Sequence, residues 1–283
     1  MKQVTRTAWG AGVQNHLYLG LPYQRVKHTT LNEKLDILAD EDPTVTEYPK
    51  LGYFCIGAGG HRVEMINGMP AIVPEQHSAV DAAPFSMIPL IMREPNNDIS
   101  PTKRASYILR KEINVNGTTY IAYYGRRLDT SKMKIRYELV QIVDGKETVT
   151  PYVPDSSNLN PKPKPISPNG VVVLDAEHVR VTTDISIIFD SSDTAELRNV
   201  ANLLFNNEYL AIVSEIALCS GVDRDITLND PNQGKFTFKE AISVQCCHFN
   251  ATYHSAITSN EGFTIGLSVG SGEPLLTLEE SNK

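Results

Sequence analysis

No apolar run in this chain approaches the ~20 residues that a bilayer-spanning helix needs. The opening residues, MKQVTRTAWGAGVQNHLYLGL, also lack the continuous apolar core of a secretory leader. Synthesis and residence in a cytosol are expected on that basis. Cysteine is scarce: Cys55, Cys219, Cys246 and Cys247 in 283 residues, and in a cytosol they read as free thiols. Basic charge is short as well, with 26 Lys and Arg against 33 Asp and Glu, a net charge of −7. That balance argues against nucleic acid or an anionic membrane as main partner, because both are bound by neutralising phosphates. The one basic run, Lys132-Met133-Lys134-Ile135-Arg136, alternates with apolar residues and reads as the solvated face of a strand. There is no repeat of fixed period and no βαβ alternation, which argues against a parallel sheet.

What is present is a globular composition, 41% hydrophobic and 21% charged. Residues 1–29 show no periodicity and carry Trp9, Tyr18 and Tyr23 among glycines, the pattern of an arm. Thr30-Leu31-Asn32-Glu33 is a capping box, and Leu31, Leu35 and Leu38 give a short helix ending before Asp42-Pro43. Prolines then punctuate the chain to Pro101, leaving room only for short strands. Tyr107–Val115 and Thr118–Tyr124 flank Asn116-Gly117, the turn dipeptide of a hairpin. Met133–Val143 and Lys146–Val153 flank Asp144-Gly145 and extend it to a four-stranded meander. Asp193-Thr194-Ala195-Glu196 is a second capping box, opening a helix with its stripe at Leu197, Val200, Ala201 and Leu204, and strands follow to Val269.

The expected fold is mainly β, with antiparallel, sandwich-like sheets and two or three short helices, α+β being the minor alternative. The expected organisation is an arm at 1–29, a β-rich domain with a helix and meander at 30–150, a proline-rich linker or arm at 151–170, and a second β-rich domain with one packed helix at 171–283. Proline pre-sets φ and lowers the entropy cost of ordering, so the segment 151–170 is expected to lie against a partner. The interface positions expected are Trp9, Tyr18, Tyr23, Pro161, Pro163 and Pro165.

Three patterns invite chemistry. Gly57-Ala58-Gly59-Gly60-His61-Arg62 starts like a dinucleotide fingerprint, but Arg62 stands at the third glycine and the chain turns again at Asn67-Gly68 without opening a helix. It reads as a glycine-rich turn. Gly266-Leu267-Ser268-Val269-Gly270 matches the nucleophile elbow in letters, but Ser268 falls in an alternating strand with no later His. Cys246-Cys247-His248 on a strand splits its side chains between two faces, which spoils a metal set. No catalytic, metal or cofactor residue is assigned.

The segment Asn207–Arg224, NEYLAIVSEIALCSGVDR, resembles structural proteins of contractile-tailed bacteriophages, in the style of baseplate wedge and neck components. The resemblance implies a non-catalytic virion part, present in several copies and assembled in the host cytoplasm. Its partners would be other virion structural proteins and copies of itself, with no cofactor and no membrane. A tail or baseplate position is favoured over a head–tail neck or connector, since the acidic balance suits a DNA channel poorly. A different class is a carbohydrate- or peptide-binding module, suggested by Tyr120, Tyr123 and Tyr124. A third is a hydrolase built on Ser268.

Overall fold

Side-chain caps set the helices and paired turns set the strands. In the computed structural model the described residues are 4–143, 145–156, 159, 172–173, 177–230, 234–275 and 277–278. Pro161, Pro163 and Pro165, and most of the 151–170 segment, lie outside them.

The N-terminal segment is not a bare arm. Strand β1 (Val4–Arg6) leads into helix α1 (Ala8–Leu19), capped by the Thr7 hydroxyl, which accepts from Gly10 N. Helix α2 (Leu31–Leu35) carries the full Thr30/Glu33 capping box but stops at Asp36, earlier than its leucine spacing suggests. Strands β2 (Lys50–Gly57), β3 (His61–Ile66), β4 (Met69–Pro74), β5 (Met87–Ile88) and β6 (Ile91–Arg93) follow, then a single-turn helix, α3 (Pro101–Arg104). The expected hairpin is present as β7 (Tyr107–Val115) and β8 (Thr118–Arg127), and the next as β9 (Ile135–Val143) and β10 (Lys146–Pro151). The two do not form one meander: β9 pairs with β10 and a later strand, not with β8. The remaining elements are β11 (Val172–Val173), β12 (His178–Asp190), α4 (Ser191–Phe205), β13 (Ile212–Asp230), β14 (Gly234–Ser255), β15 (Gly262–Pro274) and β16 (Thr277–Leu278). The N-cap of α4 is Asp190, three residues before the expected one, because Asp190 and Asp193 make the capping box.

The mainly antiparallel β class is therefore observed, with four helices among the described residues. The chain forms two compact units, and they are not the sequential blocks 30–150 and 171–283. One is Met1–Asp129 with Ile188–Phe263; the other is Thr130–Ile187 with Thr264–Lys283. The reason is long-range pairing: β13 is hydrogen-bonded to β14 on one side and β2 on the other, so the ends of the larger unit come from distant sequence.

The larger unit holds the sheet β1-β14-β13-β2-β8-β6, with β5 on β2 and β7 on β8. Its core packs α2 onto the sheet through Leu31, Tyr53, Ile108, Leu109 and Phe249. Gly10 lets α1 press onto β14, since a Cβ there would lie 2.7 Å from Cys247 Cα. Strands β3 and β4 form a separate two-stranded sheet. The smaller unit holds β10-β9-β12-β15, together with the short β11–β16 pair; β12 and β15 begin or end in the larger unit.

Candidate functional site

The densest polar constellation centres on Glu215 in β13, whose side chain is fully buried. Its Oε1 accepts from Gly59 N at 2.9 Å and Ser86 N at 3.0 Å. Its Oε2 accepts from Phe85 N at 2.9 Å and lies 2.8 Å from His77 Nε2. Four donors occupy the roughly four lone-pair sites of a carboxylate. Burial alone would raise this carboxyl, but the bonds from His77, Ser86, Phe85 and Gly59 outweigh it and hold its pKa below the ordinary glutamate value.

His77 continues the chain of contacts. Its Nδ1 is 2.9 Å from Asp81 Oδ2, which also accepts from Ser78 N. The ring is stacked between Phe85 and Phe249, both centroids at 3.8 Å. Each ring nitrogen thus faces a carboxylate oxygen, Asp81 on one side and Glu215 on the other. Asp81 borders a cleft of about 480 Å³ that His28, Glu33, Lys34 and Phe85 also line.

The glycine-rich turn is explained by this carboxylate. Gly57 stands opposite Glu215 in the β2–β13 register, and a Cβ on it would meet Glu215 Oε1 at 2.3 Å. Gly60 donates to Ser214 Oγ at 2.9 Å, and a Cβ there would lie 2.3 Å from the Ser214 carbonyl oxygen. Ser214 and Glu215, adjacent residues of β13, thus grip the turn from one side. The turn receives a protein carboxylate where a nucleotide fingerprint would receive a phosphate.

Chemically, the arrangement has the parts of a proton relay but none of the capacity. Glu215 has no lone pair left for a substrate, and the His77 side chain is 1% exposed with both ring nitrogens engaged. A base must reach the proton it removes. The geometry is that of a clamp tying three distant segments together.

A second buried glutamate, Glu240 on β14, accepts from Leu109 N at 2.5 Å, Arg110 N at 3.0 Å and Ala241 N at 2.8 Å. Leu109 is skipped in the β7–β8 ladder, although the register runs unshifted past it, and it has φ of 57°, so this carboxyl caps the N–H that a left-handed residue turns out of the ladder. Here burial prevails over the three bonds, and the pKa is raised.

The residues that the sequence singles out are scattered. Ser268 lies within β15 and donates to Asp184 Oδ1 at 2.6 Å, with no strand-to-helix elbow. All four cysteines are buried, with Cys219 and Cys246 sulfurs 3.9 Å apart. Burial pushes the Cys219 thiol well up and the Cys247 thiol to about 11, which leaves neither as a thiolate at neutral pH. No three His, Cys, Asp or Glu side chains are placed to hold a metal among the described residues. Trp9 is half-buried and donates to Val80 O at 3.2 Å. Tyr23 is buried at 9% exposure, against its expected place at an interface, because its ring packs edge-on against His16. Of the three aromatics only Tyr18, 87% exposed, presents its ring to solvent. Tyr123 is core, its hydroxyl donating to Asp98, whereas Tyr120 lines a polar cleft of about 920 Å³ with Asn96, Asn97 and Asn199. No helix among the described residues is long and apolar enough to cross a membrane.

These features define an antiparallel β protein whose buried polar groups serve the fold. The chain belongs to DUF7208, a family of unknown function, whose model matches residues 1–283. No curated protein and no solved structure matches it.

Proposed function

We propose that this chain is a non-catalytic structural subunit of a contractile-tailed bacteriophage particle, placed in the tail or baseplate and acting through contacts with neighbouring subunits. The observation that supports this reading best is how the segment Asn207–Arg224 is used. Its Ser214 and Glu215 spend their hydrogen-bonding capacity on the chain's own Gly59–Gly60 turn and Phe85–Ser86. A chain whose richest polar site is closed in this way works through its surface, and that surface carries large exposed apolar side chains. The partners are other virion proteins and copies of the same chain, and no cofactor is needed. The test is a mass-spectrometric inventory of purified particles. The chain should be present at a fixed copy number, and its absence from intact particles would overturn the reading.

A second reading is a carbohydrate- or peptide-binding module, favoured by the Tyr120 cleft with its three asparagine amides. A glycan and peptide array that Tyr120→Ala leaves unchanged would dismiss it.

A further inference from the structure

The cleft of about 920 Å³ lies within the larger unit, walled by β6, the turn Pro95–Asn97, the start of β8 and one side of α4. Ala195, Asn199 and Leu203 recur at i, i+4 and i+8, so α4 sets them in one stripe along the wall. The Tyr120 ring is held in place by packing on Met92, Ala122 and Val200. The polar part is Asn96, Asn97 and Asn199. Neither these three amides nor the Tyr120 hydroxyl has a hydrogen-bond partner among the described residues. The fold does not use them. Asparagine in a turn ordinarily bonds its own backbone, yet the turn Pro95–Asn97 has no side-chain cap. Inside a helix asparagine is a weak former, and Asn199 sits midway along α4.

We infer that this cleft binds a neutral saccharide, with Tyr120 as its stacking platform and Asn96, Asn97 and Asn199 as its hydrogen-bonding groups; the inference deepens the carbohydrate- or peptide-binding reading and rests on it. Each amide offers donors and an acceptor, which suits sugar hydroxyls, since every hydroxyl also does both. The Tyr120 ring and Leu203 receive the C–H face of a sugar through many small dispersion contacts. Charge selects against an anion. Arg93, the cation of the lining, is paired with Glu196 and donates to Met92 O. Glu94 has no ion pair among the described residues and repels negative charge. A phosphate or an acidic sugar therefore finds no free cation to receive it. The backbone selects against a peptide. Strand addition needs a bare sheet edge, whereas β6 is three residues long, is packed by α4, and has its Met92 carbonyl occupied by Arg93. The volume is near the upper end of the ~300–1,000 Å³ of ligand clefts, which suits an oligosaccharide better than one ring. A few neutral hydrogen bonds make a single site weak, with Kd on the order of 1 mM, and many copies held together raise the avidity.

The test displays the full chain in many copies on beads and probes an array of neutral and acidic oligosaccharides beside a peptide array. The strongest neutral oligosaccharide is then titrated by ligand-observed NMR into wild type, Asn199→Ala and Tyr120→Ala. Neutral glycans should be captured. Asn199→Ala should weaken binding about fivefold and Tyr120→Ala at least about tenfold. Asn199→Ala keeps the result clear of misfolding, because Asn199 is exposed and alanine is the better helix former, so its urea midpoint should not fall. Capture of peptides alone, or of acidic glycans alone, that Tyr120→Ala abolishes overturns the inference and leaves the binding-module reading standing. Capture of neutral glycans that both variants leave unchanged, or no capture at all, overturns both.

Discussion

Glu215 and Glu240 lie on paired strands of one long hairpin, both are buried, and both accept several backbone N–H groups, yet their acidities move in opposite directions. The difference is the fourth donor. Glu215 adds His77, itself backed by Asp81, to three N–H groups; Glu240 has three N–H groups and, among the described residues, no side-chain donor within hydrogen-bonding distance. Three donors leave a deeply buried carboxyl short of what water supplied, and a fourth hydrogen bond, from the His77 ring, tips the balance to the charged form. One site is a four-partner clamp on a loop. The other is a cap on a left-handed residue within a strand.

Breaking the clamp should have the largest effect. Glu215→Gln sets an amide NH₂ among donors and leaves His77 beside a neutral group, so unfolding free energy should fall by about 4 kcal/mol. Urea denaturation at neutral pH measures it, and an unchanged midpoint would mean that the constellation does not hold the fold. The clamp can also be opened from its glycine side. Gly60→Ala forces a Cβ into the Ser214 carbonyl and should cost about 3 kcal/mol, read from the same transition.

Glu240→Gln should be milder, about 1 kcal/mol, because the amide oxygen can still accept backbone N–H groups and no imidazole partner is left behind. Acidity sharpens the contrast. With its folded pKa depressed, Glu215 contributes stability that is present above pH 4.5 and lost as the pH falls below it. With its folded pKa raised, Glu240 contributes stability that is present below pH 4.5 and lost as the pH rises above it. Urea midpoints taken across pH should therefore lose an acid-side decline in Glu215→Gln and an alkaline-side decline in Glu240→Gln; parallel profiles would refute the distinction.

The smallest effect at neutral pH belongs to His248, which burial, with nearby Arg6, lowers from its ordinary 6.5 to about 4. The unfolded chain binds this proton first, so stability is full above pH 6.5 and falls as the pH drops towards 4. His248→Gln should flatten that limb of the midpoint-against-pH curve; a limb of unchanged slope would assign the acid sensitivity elsewhere.

Much of the architecture was legible because it is local. The Asn116-Gly117 turn, the Thr30/Glu33 box and the alternation of β9 each depend on neighbours within a few residues. The failures are of two kinds. Helix α1 was hidden by Gly10 and Gly12, which weaken helical propensity, and Gly10 is there for β14, a partner far away in sequence. The meander and the sequential domains failed because strand pairing is not local: β9 turns to β12, and β13 reaches back to β2. The clamp left two separate traces, a glutamate inside the apolar run of Ile212–Cys219 and a glycine cluster at 57–60. Nothing local joins them, since Gly59 and Glu215 are 156 residues apart. His77 stood alone in sequence for the same reason.

A density map of the assembled particle tests the central claim most directly, namely that this chain's polar interior holds the fold while its surface does the work. The account predicts a β protein of this topology in several copies, with protein alone around Asp81 and His77. A particle without the chain, or a non-protein group bound at the Asp81 cleft, would contradict it.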